Sequence, residues 1–256
     1  MLLQGKVCLI TGVSAASGIG YATAELFAAH GARLAILDVQ LDDARIAEIA
    51  GRISESAGRE VEVQGHRCDL TDNAACVATV RSVVERFGRL DVLVHSAGIV
   101  QTRATLDMTS GEFEKMIDVN LSGTFNINQP ALRQMAEQGG GSIVNVASVA
   151  AQRGGGLVGG SHYAASKGGM VSFTKSIARE YGGRGVRANV ICPALIETPM
   201  LSTVTAAQAE QLIKTIPLGR LGKPAEMASA CLFLASELSS FVTGTTLDVN
   251  GGLHIH

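Results

Sequence analysis

Tyr163 and Lys167 have the types and spacing of a catalytic pair. They stand four residues apart in the segment Tyr-Ala-Ala-Ser-Lys, and side chains at that spacing are neighbours on one face of a helix. A phenol with a pKa of about 10 is a weak base at neutral pH. A nearby ammonium group favours the phenolate and moves that pKa towards the range of a general acid–base catalyst. The same pair also arises by chance on exposed helices, so its meaning depends on the surrounding motifs.

A glycine-rich turn follows the first predicted strand. The residues from Thr11 to Gly20 read TGVSAASGIG and lead into a helical segment. Glycine lets a pyrophosphate approach the backbone, and a helix N-terminus supplies free N–H groups and a favourable dipole. Glycine also marks any tight strand-to-helix turn, so the motif alone is weak. Its position between a strand and a helix favours a dinucleotide site.

Asp38 ends the second predicted strand, about twenty residues after the turn. A carboxylate there accepts hydrogen bonds from the adenosine ribose and repels a 2′-phosphate. The alternative interpretation is a solvated Asp at a strand end. Neither Val39 nor Gln40 offers the positive charge that a 2′-phosphate needs. The sequence therefore predicts NAD rather than NADP as the cofactor.

Short, apolar, β-branched segments alternate with longer amphipathic segments along the chain. The strands are apolar at successive positions, as expected when helices cover both faces of a parallel sheet. We predict an α/β protein with a doubly wound Rossmann fold, a single domain over residues 1–256 with a lid segment near 196–218. The predicted helices lie near 18–30, 41–57, 72–87, 111–137, 161–182 and 224–235. The seven predicted strands are Lys6–Thr11, Arg33–Asp38, Val61–Arg67, Asp91–His95, Ser142–Ala147, Val186–Cys192 and Thr245–Val249.

Composition and charge narrow the classes of function. The 21 basic and 23 acidic residues give a net charge of −2, and no basic cluster is present, so nucleic acid is not an expected partner. No apolar stretch is long enough to cross a membrane, and the N-terminal segment lacks the features of a signal peptide. The five cysteines are scattered, with no Cys-x-x-Cys pair. We interpret them as reduced core residues of a cytoplasmic protein.

With the glycine turn and Asp38, the residues Asn120, Ser148, Tyr163 and Lys167 make the chain resemble the short-chain dehydrogenase/reductase family almost end to end. The resemblance implies that Tyr163 is the general acid–base group and that Ser148 holds the substrate oxygen. It implies that Lys167 binds the nicotinamide ribose and lowers the Tyr163 pKa, and that Asn120 completes a proton relay through water. The implied cofactor-binding positions are Gly12, Ser17, Gly18, Ile19, Asp38, Asp69, Leu70, His95, Ala97, Gly98, Tyr163, Lys167, Pro193, Ile196 and Thr198.

The activity implied by this resemblance is hydride transfer between NAD and a secondary alcohol or its ketone. One alternative is a 3-oxoacyl-(acyl-carrier-protein) reductase, although such enzymes usually favour NADP. Another is a non-catalytic NAD sensor, which would be expected to lack part of the catalytic set that this chain keeps. The resemblance also implies a homotetramer formed through the two long helices near 111–137 and 161–182.

The chain departs from the usual family pattern at several positions. Five residues rather than three separate Gly12 from Gly18, as in the enoyl reductases of the same superfamily. Those enzymes place the catalytic Lys further from the Tyr, whereas a methionine stands seven places after Tyr163, so the catalytic half favours carbonyl chemistry. His95 replaces a usual Asn, and we interpret it as a structural replacement. The glycines within 152–162 predict a longer loop beside the catalytic Tyr.

Two further features have competing interpretations. Arg153 could pair with a carboxylate or phosphate of the substrate, or it could be a solvated surface residue. The C-terminal sequence Leu-His-Ile-His has a metal-like spacing of imidazoles. Two imidazoles without a carboxylate or thiol beside them make a weak site, so no metal is predicted.

Overall fold

The protein is built on a parallel β-sheet. The computed structural model describes residues 1–156, 158–202 and 204–256, and these form seven strands in the order β3-β2-β1-β4-β5-β6-β7. Every neighbouring pair of strands is parallel. The strand order reverses between β1 and β4, where the carboxyl ends of the strands open a crevice for ligands. The strands are β1 Val7–Thr11, β2 Arg33–Asp38, β3 Val63–Arg67, β4 Val92–His95, β5 Gly141–Val146, β6 Val186–Pro193 and β7 Thr246–Val249.

Helices cover both faces of this sheet. Successive residues of β1 enter two different cores, because side chains alternate between the faces of a strand. Cys8 and Ile10 join the core on one face of the sheet, and Val7 and Leu9 join the core on the other face. The helices are α1 Ile19–Ala29, α2 Asp43–Ala57, α3 Asn73–Phe87, α4 Ser110–Ile117, α5 Gly123–Glu137, α6 Ala150–Arg153, α7 Ser161–Tyr181, α8 Ala206–Ile213 and α9 Pro224–Ala235.

Capping residues fix the ends of the helices nearest the cofactor edge. The Asp42 carboxylate accepts a hydrogen bond from the Arg45 N–H at 2.8 Å, and α2 ends at Gly58 in the left-handed conformation. Asp72 caps α3 in the same way. An Asn or Asp side chain before the first helical turn satisfies N–H groups that lack an intrahelical partner. These caps set where the loops after β2 and β3 must end.

The predicted doubly wound fold is confirmed, with one correction in the helices. The long helix predicted near 111–137 is interrupted, because α4 and α5 are joined by a π-helical turn at Asp118–Ser122. A π turn inserts an extra residue and redirects the side chains that follow it, and such turns are frequent at functional sites. Within the predicted lid segment near 196–218, a 3₁₀ turn covers Pro199–Leu201 and precedes α8. Residue 203 of that segment lies outside the described residues.

Candidate active site

Tyr163 and Lys167 share one buried face of α7. The side chain of Tyr163 is 7% exposed and that of Lys167 is 4% exposed. The Lys167 Nζ lies 6.0 Å from the centre of the Tyr163 ring and donates to the Val146 carbonyl at 2.8 Å. Burial lowers the pKa of Lys167 to about 8. Both residues line a cavity of about 350 Å³ at the carboxyl ends of β5 and β6.

Ser148 counteracts the effect of burial on the pKa of the Tyr163 hydroxyl. Burial raises the pKa of Tyr163, a hydrogen bond with Ser148 lowers it, and the nearby Cys192 raises it. The Ser148 Oγ also accepts a hydrogen bond from the Ala150 N–H at 3.1 Å, which fixes its position. Lys167 donates to a backbone carbonyl rather than to the Tyr163 hydroxyl, and the lowering of the Tyr163 pKa by Lys167 stays a prediction.

Asn120 lies within the π turn and is fully buried. Its Oδ1 accepts from the Ile99 N–H at 2.8 Å, and its Nδ2 donates to the Ile99 carbonyl at 2.9 Å and to Ser166 Oγ at 3.2 Å. A Cβ added at Gly98 would lie 3.0 Å from Asn120 Oδ1 and 3.5 Å from Lys167 Nζ. Asn120 thus holds the segment after β4 against α7, beside Lys167, and the water relay stays a prediction.

A second cavity of about 330 Å³ follows the glycine turn and shares part of its wall with the first. Gly12 has a φ of +78°, and a Cβ at that position would lie 2.9 Å from the Ala97 backbone nitrogen. A Cβ at Gly20 would collide with the backbone of the turn. The N-cap of α1, Gly18, offers no side-chain cap, so the first N–H groups of α1 are free for phosphate oxygens. These residues fit a dinucleotide.

Asp38 lines this second cavity, which we call the dinucleotide groove. Its carboxylate accepts hydrogen bonds from the Ser14 N–H at 3.1 Å and the Gln40 N–H at 3.0 Å. The sequence analysis missed Arg45 of α2, which donates to the Ser14 carbonyl at 2.6 Å and forms an ion pair with Glu48. The sequence offered one signal for Arg45, because it lies three residues after Asp42, the N-cap of the helix that follows Asp38. The contact with Ser14 fastens α2 to the glycine turn, and the ion pair with Glu48 lies within α2.

The structure brings most of the predicted site residues to these two cavities. Ile19, Gly98 and Thr198 line both of them, and Ser17 is exposed on the glycine turn without lining either. The predicted positions that line at least one cavity are Gly12, Gly18, Ile19, Asp38, Asp69, Leu70, Ala97, Gly98, Tyr163, Lys167, Pro193, Ile196 and Thr198.

The His95 ring lines neither of the two cavities, and its predicted contact with the cofactor stays a prediction. It is fully buried between Thr11 and Thr124, whose hydroxyl oxygens lie 3.0 Å from Nδ1 and Nε2 respectively. The Thr124 hydroxyl donates to the Asn120 carbonyl, and Thr11 Oγ1 accepts from the Ala97 N–H. The ring must therefore donate through Nε2 and accept at Nδ1. His95 supports the turn after β4 from behind.

Comparison with known proteins identifies the family to which this arrangement belongs. A family model described as enoyl-(acyl carrier protein) reductase matches residues 12–254. A short-chain type dehydrogenase/reductase of Sinorhizobium fredii is 43% identical over the full length of both chains.

The chain belongs to the short-chain dehydrogenase/reductase family.

Other members of this family are similarly close. A 3-oxoacyl-[acyl-carrier-protein] reductase of Thermotoga maritima is 42% identical over the whole of both chains. The crystal structure of levodione reductase is 37% identical, covers 98% of each chain and superimposes with a TM-score of 0.91. As a short-chain dehydrogenase/reductase, the protein is an oxidoreductase that acts on CH–OH groups with a nicotinamide cofactor, NAD or NADP.

The wall of the substrate cavity contains residues that the sequence analysis did not assign to it. Leu253, close to the end of the chain, lines the cavity, and its carbonyl accepts a hydrogen bond from Arg153 at 2.9 Å. Sequence spacing gives no sign that residues 100 positions apart meet. In the described part of this dehydrogenase/reductase, no helix is both long and apolar enough to span a membrane.

Proposed function

We propose that the protein is an NAD-dependent oxidoreductase that interconverts a secondary alcohol and its ketone. The observation that carries this proposal is the hydrogen-bonded pair of Ser148 and Tyr163, of which Tyr163 lies with Lys167 in the cavity that shares part of its wall with the dinucleotide groove. The bound nicotinamide would accept or supply the hydride. Ser148 holds the substrate oxygen, and Lys167 binds the nicotinamide ribose.

Tyr163 moves the proton in both directions of this reaction. In oxidation, the substrate O–H proton passes to the Tyr163 oxygen as hydride leaves carbon. In reduction, the Tyr163 hydroxyl gives its proton to the carbonyl oxygen as hydride arrives. Because burial raises the pKa of Tyr163, the protonated form dominates at neutral pH and alcohol oxidation is favoured by alkaline pH.

An uncharged, moderately apolar substrate fits the cavity best. Much of the described wall is aliphatic, and the cations that line it are Lys167 and Arg153. Lys167 is buried beside the reacting centre, and Arg153 is already bonded to the Leu253 carbonyl. The aliphatic side chains that line the wall include Val149, Leu195, Met200, Leu201, Leu212 and Leu253.

A second candidate is a 3-oxoacyl thioester reductase, which the similarity to the Thermotoga maritima enzyme favours. If Arg153 gave up its hydrogen bond to the Leu253 carbonyl, its guanidinium would be free to bind a phosphate of the carrier group. Reduction of acetoacetyl-coenzyme A would exceed reduction of simple cyclic and aliphatic ketones if this candidate were correct. The opposite order of kcat/KM supports the alcohol dehydrogenase.

The cofactor preference is tested at Asp38. Its carboxylate faces the groove and would repel the 2′-phosphate of NADP, while its oxygens are already fixed by Ser14 and Gln40. We expect Asp38→Ser to raise kcat/KM with NADP relative to NAD by at least about 10-fold, a difference of about 1.4 kcal/mol. Steady-state kinetics with both cofactors measure this ratio. An unchanged ratio would contradict the assignment of NAD.

The catalytic role is tested by NADH formation at alkaline pH with a panel of secondary alcohols. Tyr163→Phe should retain less than about 1% of the wild-type kcat, because general acid–base catalysis contributes 100-fold or more. Tyr181→Phe is the matched control, since Tyr181 ends the same helix outside both cavities. If Tyr163→Phe kept a tenth of the activity, the assignment would be wrong. NAD binding without turnover of any substrate would instead support the sensor.

We also propose that the protein works in the cytoplasm as a homotetramer. All five cysteines are free and buried, which suits a reducing compartment. The small residues Ala164 and Gly168 of α7 are partly exposed, and small side chains there would let the α7 helices of two copies approach closely.

A further inference from the structure

We propose that Asp248, His254 and His256 bind a divalent transition-metal ion such as Zn²⁺, and that the ion clamps the C-terminal segment beside the substrate cavity. One ligand atom from each residue lies within 4.8 Å of the other two. Carboxylate and imidazole groups are the donors that zinc takes in proteins. The weak point of the sequence motif was the missing carboxylate, and the fold supplies it from β7.

The distances already approach those of a zinc site. The His256 Nε2 and the Asp248 Oδ2 are 3.3 Å apart. Four ligands at about 2.05 Å around a tetrahedral ion lie about 3.3–3.4 Å from one another, so one edge of the tetrahedron is preformed. The rings of His254 and His256 meet nearly at right angles, with centres 4.8 Å apart. The other ligand atoms lie within 4.8 Å of one another, and His254 must move closer to complete the site.

Gln152 adds a second, independent observation. Its Nε2 lies 2.8 Å from Asp248 Oδ1 and 3.1 Å from His256 Nε2, so a single amide serves both of these acceptors. Its Oε1 is buried and has no hydrogen-bond partner among the residues that the structure describes. A half-turn of the amide exchanges the two atoms and aims an oxygen at the cluster. Gln152 then becomes the fourth ligand. A bound cation would attract the acceptor atoms of Gln152, Asp248 and His256, which otherwise face one another.

The site is accessible and is joined to the cavity wall. The His256 side chain is 65% exposed, which gives an ion a path from solvent. Leu253, which precedes the two histidines, lines the substrate cavity and is bonded to Arg153, next to Gln152. A bound ion would therefore hold Leu253 in the wall. Because no ligand touches Tyr163 or lines the dinucleotide groove, the ion should change substrate affinity more than the rate of the chemical step.

The binding test uses the full chain freed of any affinity tag, without cofactor or substrate, so that it is independent of the proposed activity. Calorimetric titration with Zn²⁺ should show one ion per chain, and saturating Zn²⁺ should raise the Tm by about 5 °C. The double variant His254→Ala/His256→Ala and the single variant Asp248→Asn should lose both effects. His30→Ala, altered at the C-terminal end of α1, should keep them. Equal zinc affinity in wild type and double variant would overturn the site.

The functional consequence is measured separately. Zn²⁺ should lower the wild-type KM for the alcohol by about 3-fold or more with little change in kcat, and should leave the KM of the double variant unchanged. The expected effect on KM rests on the proposed function. Zinc binding does not, so Tyr163→Phe should bind zinc like the wild type even if it turns over no substrate. A wild-type KM that ignores zinc would overturn the clamp, and a KM that falls equally in the double variant would overturn the site.

Discussion

His95 is an imidazole that the fold holds neutral. Burial is the main cause that lowers its pKa to about 3, and the charge of Lys167 adds to it. Its two ring nitrogens join Thr11 of β1 to Thr124 of α5, so the ring supports the turn that lines both cavities. A proton on Nδ1 would replace an acceptor by a donor and place a charge in the core.

We predict that His95 makes the protein sensitive to acid. The unfolded chain binds a proton on His95 near its ordinary pKa of 6.5, whereas the folded protein does so only near 3. The stability that neutral His95 contributes is complete above pH 6.5 and declines by about 1.4 kcal/mol per pH unit below it. Between pH 6.5 and 4.5, the free energy of unfolding of His95→Asn should therefore fall by about 2–3 kcal/mol less than that of the wild type, as measured by urea unfolding.

The comparison is made as a difference between two proteins, so the carboxylates that both share cancel. His95→Asn keeps a side-chain amide that can donate and accept between the two threonines. The difference between the free energies of unfolding of the two proteins at pH 7 measures the cost of the substitution itself. Parallel pH profiles for the two proteins would show that His95 does not titrate on unfolding as we expect.

The shared helix face of Tyr163 and Lys167 could be predicted from sequence because their geometry is local. The four-residue spacing of Tyr163 and Lys167 fixes a shared helix face before any tertiary structure is known. Asp248 and His256 show the opposite case, since the carboxylate and the imidazole meet only when the C-terminal segment folds back along β7. The effect of Ser148 on the Tyr163 pKa is also tertiary, because it depends on how the loop after β5 packs on α7.

At the scale of elements, the glycines directly before α7, Gly159 and Gly160, form a close-packed support for Tyr163. Gly159 has a φ of +83°, and a Cβ there would meet the Tyr163 ring. The Gly159 N–H donates to Thr102 Oγ1 at 3.1 Å, and the Gly160 N–H donates to the Gln101 carbonyl at 2.8 Å. The glycines are therefore needed for backbone conformation and contact, and they fix one side of the catalytic ring.

We predict that Gly159→Ala lowers kcat/KM by about 100-fold. The substitution strains the left-handed backbone by about 1–2 kcal/mol and pushes the Tyr163 ring from its position, and a shift of about 1 Å at a reacting group can cost that factor. Gly156→Ala is the matched control in the same loop, because a Cβ there has no atom within 4 Å. It should stay within about 2-fold of the wild type. Similar losses in the two variants would show that the loop acts through its flexibility instead.

The order of strands and helices could be predicted because apolar periodicity reports which faces are buried. That pattern gave one continuous helix near 111–137, whereas the chain forms α4, a π turn and α5. A single inserted residue barely disturbs the periodicity over so long a segment. What favours the π turn is the bonding of Asn120 to the backbone of Ile99, and that contact joins different segments of the chain.

At the scale of the whole molecule, the outer faces of α5 and α7 carry aromatic side chains that a monomer leaves in water. Phe125 of α5 is 43% exposed, and its ring centre lies 6.1 Å from that of the partly buried Phe173 of α7. Phe113 of α4 is equally exposed, at 43%. Exposed apolar patches of this kind mark protein interfaces more often than single scattered residues do.

We predict that these helices form the interface of the proposed homotetramer and that Phe125→Glu breaks it. The substitution places a charge where two copies would bury an aromatic ring, and burial of an unpaired charge is strongly unfavourable. Sedimentation velocity at micromolar concentration should show a mass of four chains for the wild type and of two or one for the variant. Val77→Glu, on α3 and 44% exposed, adds the same charge elsewhere and should stay tetrameric. A monomeric wild type, or a tetrameric Phe125→Glu, would contradict this interface, and circular dichroism of both variants would confirm that they remain folded.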